Sequence, residues 1–209
     1  MQGKPAKRPN FFYCYVILTL LCNYMDNKSR LICVFAGAST PKDNAILDNA
    51  RALGSAIGRE GYELVYGGGL NGVMGACAIA ADAAGAKIHV VNIDRYADEA
   101  QLLNATVKIV KNEIERFHHM ALLSGAEAMF ALPGGPGTIR EALMGLESIV
   151  YDDATAPLVL VKTPPYLDGI KSYFDEAIAS GLIKDSKRNA LREWSLHQTI
   201  QSVLQAEIN

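Results

Sequence analysis

The stretch LPGGPGTIRE, residues 132 to 141, sets a carboxylate, Glu141, close behind three glycines, Gly134, Gly135 and Gly137. An apolar run, residues 126 to 132, precedes the glycines and a helical pattern follows, so the chain turns there with its backbone bare. Backbone N–H groups at such a turn, next to the positive end of a helix, make a cradle suited to phosphate. Glu141 then has two readings. Thr138 and Glu141 can form a capping box, with Thr138 as N-cap and Glu141 at N3. Alternatively, a carboxylate beside a phosphate-binding turn sits where the ribose of a bound nucleotide would lie. The sequence leaves both open.

A second glycine loop, YGGGLNG at residues 66 to 72, also follows a strand-like run. Gly67, Gly69 and Gly72 match GxGxxG, and Asp94 stands 22 residues beyond Gly72, about where a dinucleotide fold keeps its ribose-binding acid. Taken alone, this loop supports a nicotinamide dinucleotide and an oxidoreductase. The plainer alternative is glycine used for close packing of helix on strand. The two loops together favour a third option. One dinucleotide needs one such loop, whereas a pair of loops with an arginine and a carboxylate nearby suits a mononucleotide whose sugar is being worked on.

Loops of this kind need strands that end side by side. From residue 30 short aliphatic runs alternate with longer helical ones, which predicts a parallel sheet covered by helices. RLICVFAG (30 to 37), YELVY (62 to 66), KIHVVNI (87 to 93) and AEAMFAL (126 to 132) read as strands, residues 107 to 110 as a short strand, and APLVLVK (156 to 162) as the last. Helices are expected over 43 to 60, with Ala45, Ile46, Asn49, Leu53, Ala56 and Ile57 near one face, and over 73 to 86, 113 to 124, 138 to 151, 167 to 180 and 195 to 206. Residues 30 to 209 therefore form a single three-layer α/β domain. In open parallel sheets ligands bind outside the carboxyl ends of the strands, where both glycine loops lie.

Residues 1 to 29 stand apart. Lys4, Lys7 and Arg8 followed by FFYCYVILTLLC have the layout of a secretory signal, yet the run is shorter than the roughly 18 residues of a spanning helix, and no small-x-small cleavage site follows. Two accounts fit: a targeting or anchoring leader, or a chain whose biological start is Met25. Membrane association of the domain is not expected.

The formal net charge of -2, with no basic stripe, argues against a nucleic-acid partner. Cys14, Cys22, Cys33 and Cys77 form no CxxC pair and no cluster with histidine at metal-ligand spacing, so they read as reduced thiols of a cytoplasmic protein and no metal is expected. His118 and His119 have no third ligand in view, Met74 and Met129 read as core, and no second acid stands at a convincing spacing from Glu141, Glu147 included.

YGGGLNGVMG (66 to 75) and PGGPGTIRE (133 to 141), with Arg116 between them, resemble the Lonely Guy (LOG) family, often mislabelled as lysine decarboxylases. Its hallmark is PGGxGTxxE preceded by an arginine-bearing helix, and VFAGAST (34 to 40) resembles its first strand and loop. The likeness runs from residue 31 to residue 183. It implies a Rossmann-like homodimer that hydrolyses the N-glycosidic bond of a nucleoside 5'-monophosphate, without metal or redox cofactor, releasing a base and ribose 5-phosphate. In plants and many microbes that base is a cytokinin.

Carried over residue by residue, the resemblance makes Glu141 the carboxylate that stabilises an oxocarbenium-like transition state and deprotonates water. Arg116 becomes the group that holds the nucleotide. Ser39, Gly68, Gly69, Gly135, Gly137 and Thr138 form the phosphate pocket. Four departures bear on substrate: Phe117 for the usual lysine after Arg116, Pro136 for the usual tyrosine, Arg140 for the usual glutamate before Glu141, and ALMGLESIVY in place of a Thr-Trp segment. Two other classes remain as alternatives. One is a carrier of molybdenum cofactor, a phosphorylated pterin held by same-fold relatives without hydrolysis, which the loss of lysine at Phe117 favours. The other is the nicotinamide-dependent oxidoreductase.

Overall fold

The computed structural model describes residues 30 to 94, 105 to 163 and 165 to 206; the leader, with Cys14 and Cys22, lies outside the described residues. In chain order the elements are β1 (Leu31–Phe35), α1 (Asn44–Arg59), β2 (Glu63–Tyr66), α2 (Gly72–Ala83), β3 (Ile88–Ile93) and β4 (Ala105–Val110). Then follow α3 (Glu113–Phe117), a π-helical turn (His118–Leu122), β5 (Ala128–Ala131), α4 (Pro136–Val150), β6 (Leu158–Val161), α5 (Asp168–Ala179), a 3-10 turn (Asp185–Ala190), β7 (Leu191–Trp194) and α6 (Ile200–Gln205).

The strands form one sheet in the order β4-β3-β2-β1-β5-β6-β7, and every pair is parallel. The chain walks outward from β1 to β4, returns to lay β5 on the other side of β1, and walks outward again. Strand order thus reverses between β1 and β5, and the loops leaving those two strands diverge to open a crevice. Both faces of the five inner strands, β3, β2, β1, β5 and β6, are covered, which is why those strands read as continuous apolar runs. Ile32, Val34 and Phe130 pack on one face with Ile46, Leu53 and Ile57 of α1 and Val73 and Ala78 of α2. Cys33, Phe35, Met129 and Ala131 pack on the other with Phe117 of α3, Ala142 and Leu146 of α4 and Phe174 of α5.

Four details differ from the sequence reading. APLVLVK is not the last strand: β7 pairs with β6 at the sheet edge, and its sequence LREW, half-buried at Arg192 and Glu193, has no apolar run to reveal it. The helix expected over 195 to 206 shortens to Ile200–Gln205, capped by the Thr199 hydroxyl. The helix over 113 to 124 is regular only to Phe117 and continues as a π turn in which Leu123 N donates to His118 O at 2.7 Å. On α1 the buried stripe is Ile46, Ala50, Leu53, Gly54 and Ile57, with Ala45 exposed just after the Asp43 cap.

Candidate active site

The first turn of α4 begins earlier than a Thr138 cap would allow. Gly135 is the N-cap and Pro136 opens the helix, where its fixed φ suits the first turn and its missing N–H needs no partner. Thr138 is then the third helical residue and Glu141 belongs to the second turn, so the capping box does not form. Both side chains turn inward and are buried.

The glycines divide into two kinds. Gly37 N donates to Pro133 O at 3.2 Å, and a Cβ on Gly134 would lie 2.2 Å from Thr138 Oγ1 and 2.7 Å from Gly37 N. Gly134 is bare so that the β1 and β5 loops can touch at the point of reversal. A Cβ on Gly135 or Gly137 would meet nothing within 4 Å, because both face open space at the start of α4.

That space is a cavity of about 600 Å³ at the carboxyl ends of β1, β2, β3 and β5. Ser39, Gly69, Gly135, Gly137, Thr138, Arg116 and Glu141 all line it. Gly68 does not. Its φ is +95°, and a Cβ there would strike Val90 Cγ1 at 2.6 Å, so this glycine makes the turn rather than the wall.

Four charges alternate along one side of the cavity. Arg116 Nη2 contacts Glu141 Oε1 at 2.8 Å and Glu113 Oε2 at 3.0 Å, and Arg140 Nη2 approaches the same Glu113 oxygen at 3.5 Å. Burial holds the Glu141 carboxyl above its ordinary pKa, while the charge and hydrogen bond of Arg116 pull the other way. The start of α3 is fixed by Asn112, whose side chain accepts from Ile114 N and Glu115 N. Arg116 Nε is buried with no hydrogen-bond partner among the described residues.

Glu113 is the second acid that sequence reasoning did not find, and its signal was available: it lies one turn before Arg116. Asn92, Tyr166 and Met74 also line the cavity. Asn92 is fully buried at the end of β3, its Oδ1 accepting Ile93 N–H at 2.8 Å, and a lone amide inside KIHVVNI was the clue. Other candidates stand elsewhere. Asp94 is exposed and off the cavity wall, Glu147 faces a groove on the other side of α4, and neither His118 nor His119 lines the cavity. Phe117 is buried against Phe35 with ring centroids 6.0 Å apart, so the position that lacks the lysine belongs to the core. Cys33 and Cys77 are buried thiols, Cys77 pushed up to about 12 by burial.

A doubly wound parallel sheet with its crevice at the reversal of strand order defines a Rossmann-like α/β protein. Residues 74–206 match the family described as possible lysine decarboxylase. The chain is 30% identical over 167 residues to a cytokinin riboside 5'-monophosphate phosphoribohydrolase of Arabidopsis thaliana, covering 79% of this chain and 77% of that one. It is 34% identical over 163 residues to a probable cytokinin riboside 5'-monophosphate phosphoribohydrolase of Oryza sativa subsp. japonica, covering 77% and 72%. The chain belongs to the LOG family. Among solved structures, the molybdenum cofactor carrier protein of Chlamydomonas reinhardtii superposes with a TM-score of 0.61 at 22% identity, over 79% of this chain and 89% of that one, a likeness of fold.

Proposed function

We propose that the protein hydrolyses the N-glycosidic bond of a nucleoside 5'-monophosphate to a free base and ribose 5-phosphate. One observation carries the reading: a buried carboxylate, Glu141, held at 2.8 Å by Arg116 one turn beyond an open glycine helix start. The 5'-phosphate accepts hydrogen bonds from the free N–H groups of the first turn and from the Thr138 hydroxyl, with Ser39 and Gly69 closing the cradle. A turn of helix is about 5.4 Å along the axis, which sets C1' of the ribose opposite Glu141.

As the C–N bond breaks, positive charge grows on C1' and the ring oxygen, and the Glu141 carboxylate stabilises it. The same group takes a proton from the attacking water. Burial makes it a stronger base than an exposed glutamate, and Arg116 keeps it ionised and oriented. Arg116 thereby acts through Glu141, its Nη2 being shared between that carboxylate and Glu113. Cytokinin precursors named for the plant relatives fall within the substrate class.

The test is chromatographic detection of base release from a panel of nucleoside 5'-monophosphates and the matching nucleosides. Release from monophosphates alone is expected, and Glu141→Gln should bind nucleotide yet release no base. Wild-type turnover in that variant would remove Glu141 from the mechanism. A second reading, a carrier of a phosphorylated ligand such as molybdenum cofactor, is favoured by the open cradle, which serves a phosphate whether or not a sugar is cleaved. It predicts copurification of a fluorescent pterin and no release from any monophosphate.

A further inference from the structure

Of the two arginines on the cavity wall, Arg140 is the one with reach to spare. Arg116 is 13% exposed, and its Nη2 is shared between Glu141 at 2.8 Å and Glu113 at 3.0 Å. Arg140 is 52% exposed, and its one ion-pair contact among the described residues is the 3.5 Å approach to Glu113, longer than a good hydrogen bond. It stands at the rim where the start of α3 meets α4, and it lines both the cavity and the groove outside.

Its place on α4 decides what it would meet. Thr138 belongs to the phosphate end, Glu141 faces C1', and Arg140 lies beside Glu141, further along the helix axis than Thr138. On the nucleotide reading, with the phosphate on the first turn and C1' at Glu141, the base lies in the same cavity, within reach of the long, exposed Arg140 side chain. A guanidinium offers five donors in a planar fork and no acceptor. The O6 and N7 edge of a 6-oxopurine offers two acceptors that match that fork, whereas adenine presents an N6 donor at the same place.

We propose that Arg140 is the specificity-determining residue of this cavity and selects the 5'-monophosphates of 6-oxopurines, guanine and hypoxanthine, over those of adenine and its N6-substituted forms. The inference rests on the nucleotide reading given above. Glu113 holds the guanidinium at the rim until the base arrives, and the long contact is the one exchanged for the base edge.

IMP and AMP differ only at purine position 6, so they isolate the effect. Base release from IMP, GMP and AMP is measured for the wild type, Arg140→Gln and Arg140→Glu, with binding of the same nucleotides measured by calorimetry in Glu141→Gln protein, where turnover does not intervene. Wild type should favour IMP over AMP roughly tenfold or more, the discrimination of one bidentate pair. Arg140→Gln, which offers both a donor and an acceptor, should level the ratio, and Arg140→Glu, which accepts from N6–H, should reverse it. Release with AMP equal or preferred, or a ratio unmoved by Arg140→Glu, overturns the role of Arg140 and leaves the hydrolase standing. IMP-selective binding without release from any nucleotide supports Arg140 and overturns the hydrolase. Binding of no monophosphate overturns both.

Discussion

Arg116 and Glu141, 25 residues apart in sequence and on different helices, meet at 2.8 Å where their side chains are 13% and 8% exposed. A pair so far removed from water is held by mutual dependence rather than by large net stabilisation. Arg116→Ala leaves the buried Glu141 carboxylate facing the half-buried Glu113 carboxylate without their shared cation. It should cost about 3–5 kcal/mol in urea denaturation, the range for breaking a buried pair by removing one partner. Glu141→Gln removes an ion and leaves Arg116 with Glu113, so its stability at neutral pH should equal or exceed that of the wild type.

The pH dependence follows from the same burial. The folded-state pKa of Glu141 is raised, so the carboxylate needed for catalysis is lost as pH falls through a value above the ordinary glutamate range. Base release should decline on the acid side at a correspondingly high pH, read from kcat/KM profiles. Stability moves the other way. The folded protein holds this proton more tightly than the unfolded chain does, so ionising Glu141 destabilises the fold, a cost fully present above the folded pKa and absent below the unfolded one. Comparing wild type with Glu141→Gln across that window isolates the contribution, and a difference that grows toward acid pH would contradict it.

The two kinds of glycine in the turn predict opposite outcomes for the same substitution. Gly137→Ala adds a methyl where nothing lies within 4 Å, at the second residue of a helix, so the melting temperature should hold or rise, alanine being favoured over glycine there by up to about 1 kcal/mol. The methyl nonetheless enters the phosphate cradle, and nucleotide binding should be lost. Gly134→Ala forces contacts of 2.2 and 2.7 Å with Thr138 Oγ1 and Gly37 N, so it should lower the melting temperature clearly. Thermal scans with and without AMP separate the two.

Much of this arrangement was legible in the sequence because each part has a local signature. The alternation of apolar runs with helical stretches marked a parallel sheet, and glycine-rich turns at two strand ends marked its ligand edge. What escaped was whatever depends on contact between distant segments. Glu113 looked like an ordinary acidic residue at a helix start until α4 brought Glu141 and Arg140 beside it. β7 has no apolar periodicity because it is a short edge strand, and only pairing with β6 defines it. Phe117 looked like a lost cation, since sequence gives no direction to a side chain on a five-residue helix that turns π at its end. Thr138 matched a capping box by spacing, and Pro136 moved the helix start upstream.

Beside the cavity, α4 and α5 leave an apolar groove lined by Ile139, Leu143, Tyr151, Tyr173 and Leu182, with Leu143, Tyr151, Tyr173 and Leu182 exposed. Large apolar side chains gathered on one face of a globular protein mark an interaction surface. We expect the homodimer that the family resemblance implies to bury this face, and a charge at its centre to prevent that. Leu143→Glu is expected to convert a dimer to a monomer in light scattering coupled to size exclusion, with the melting temperature of the domain little changed, since Leu143 is not part of the core. Gly134, Gly135 and Arg140 line both the groove and the cavity, so the cradle borders the groove. Loss of the dimer should therefore weaken nucleotide binding as well. A monomeric Leu143→Glu protein with unchanged nucleotide affinity would show that the two surfaces act independently, and a dimeric one would place the interface elsewhere on the chain.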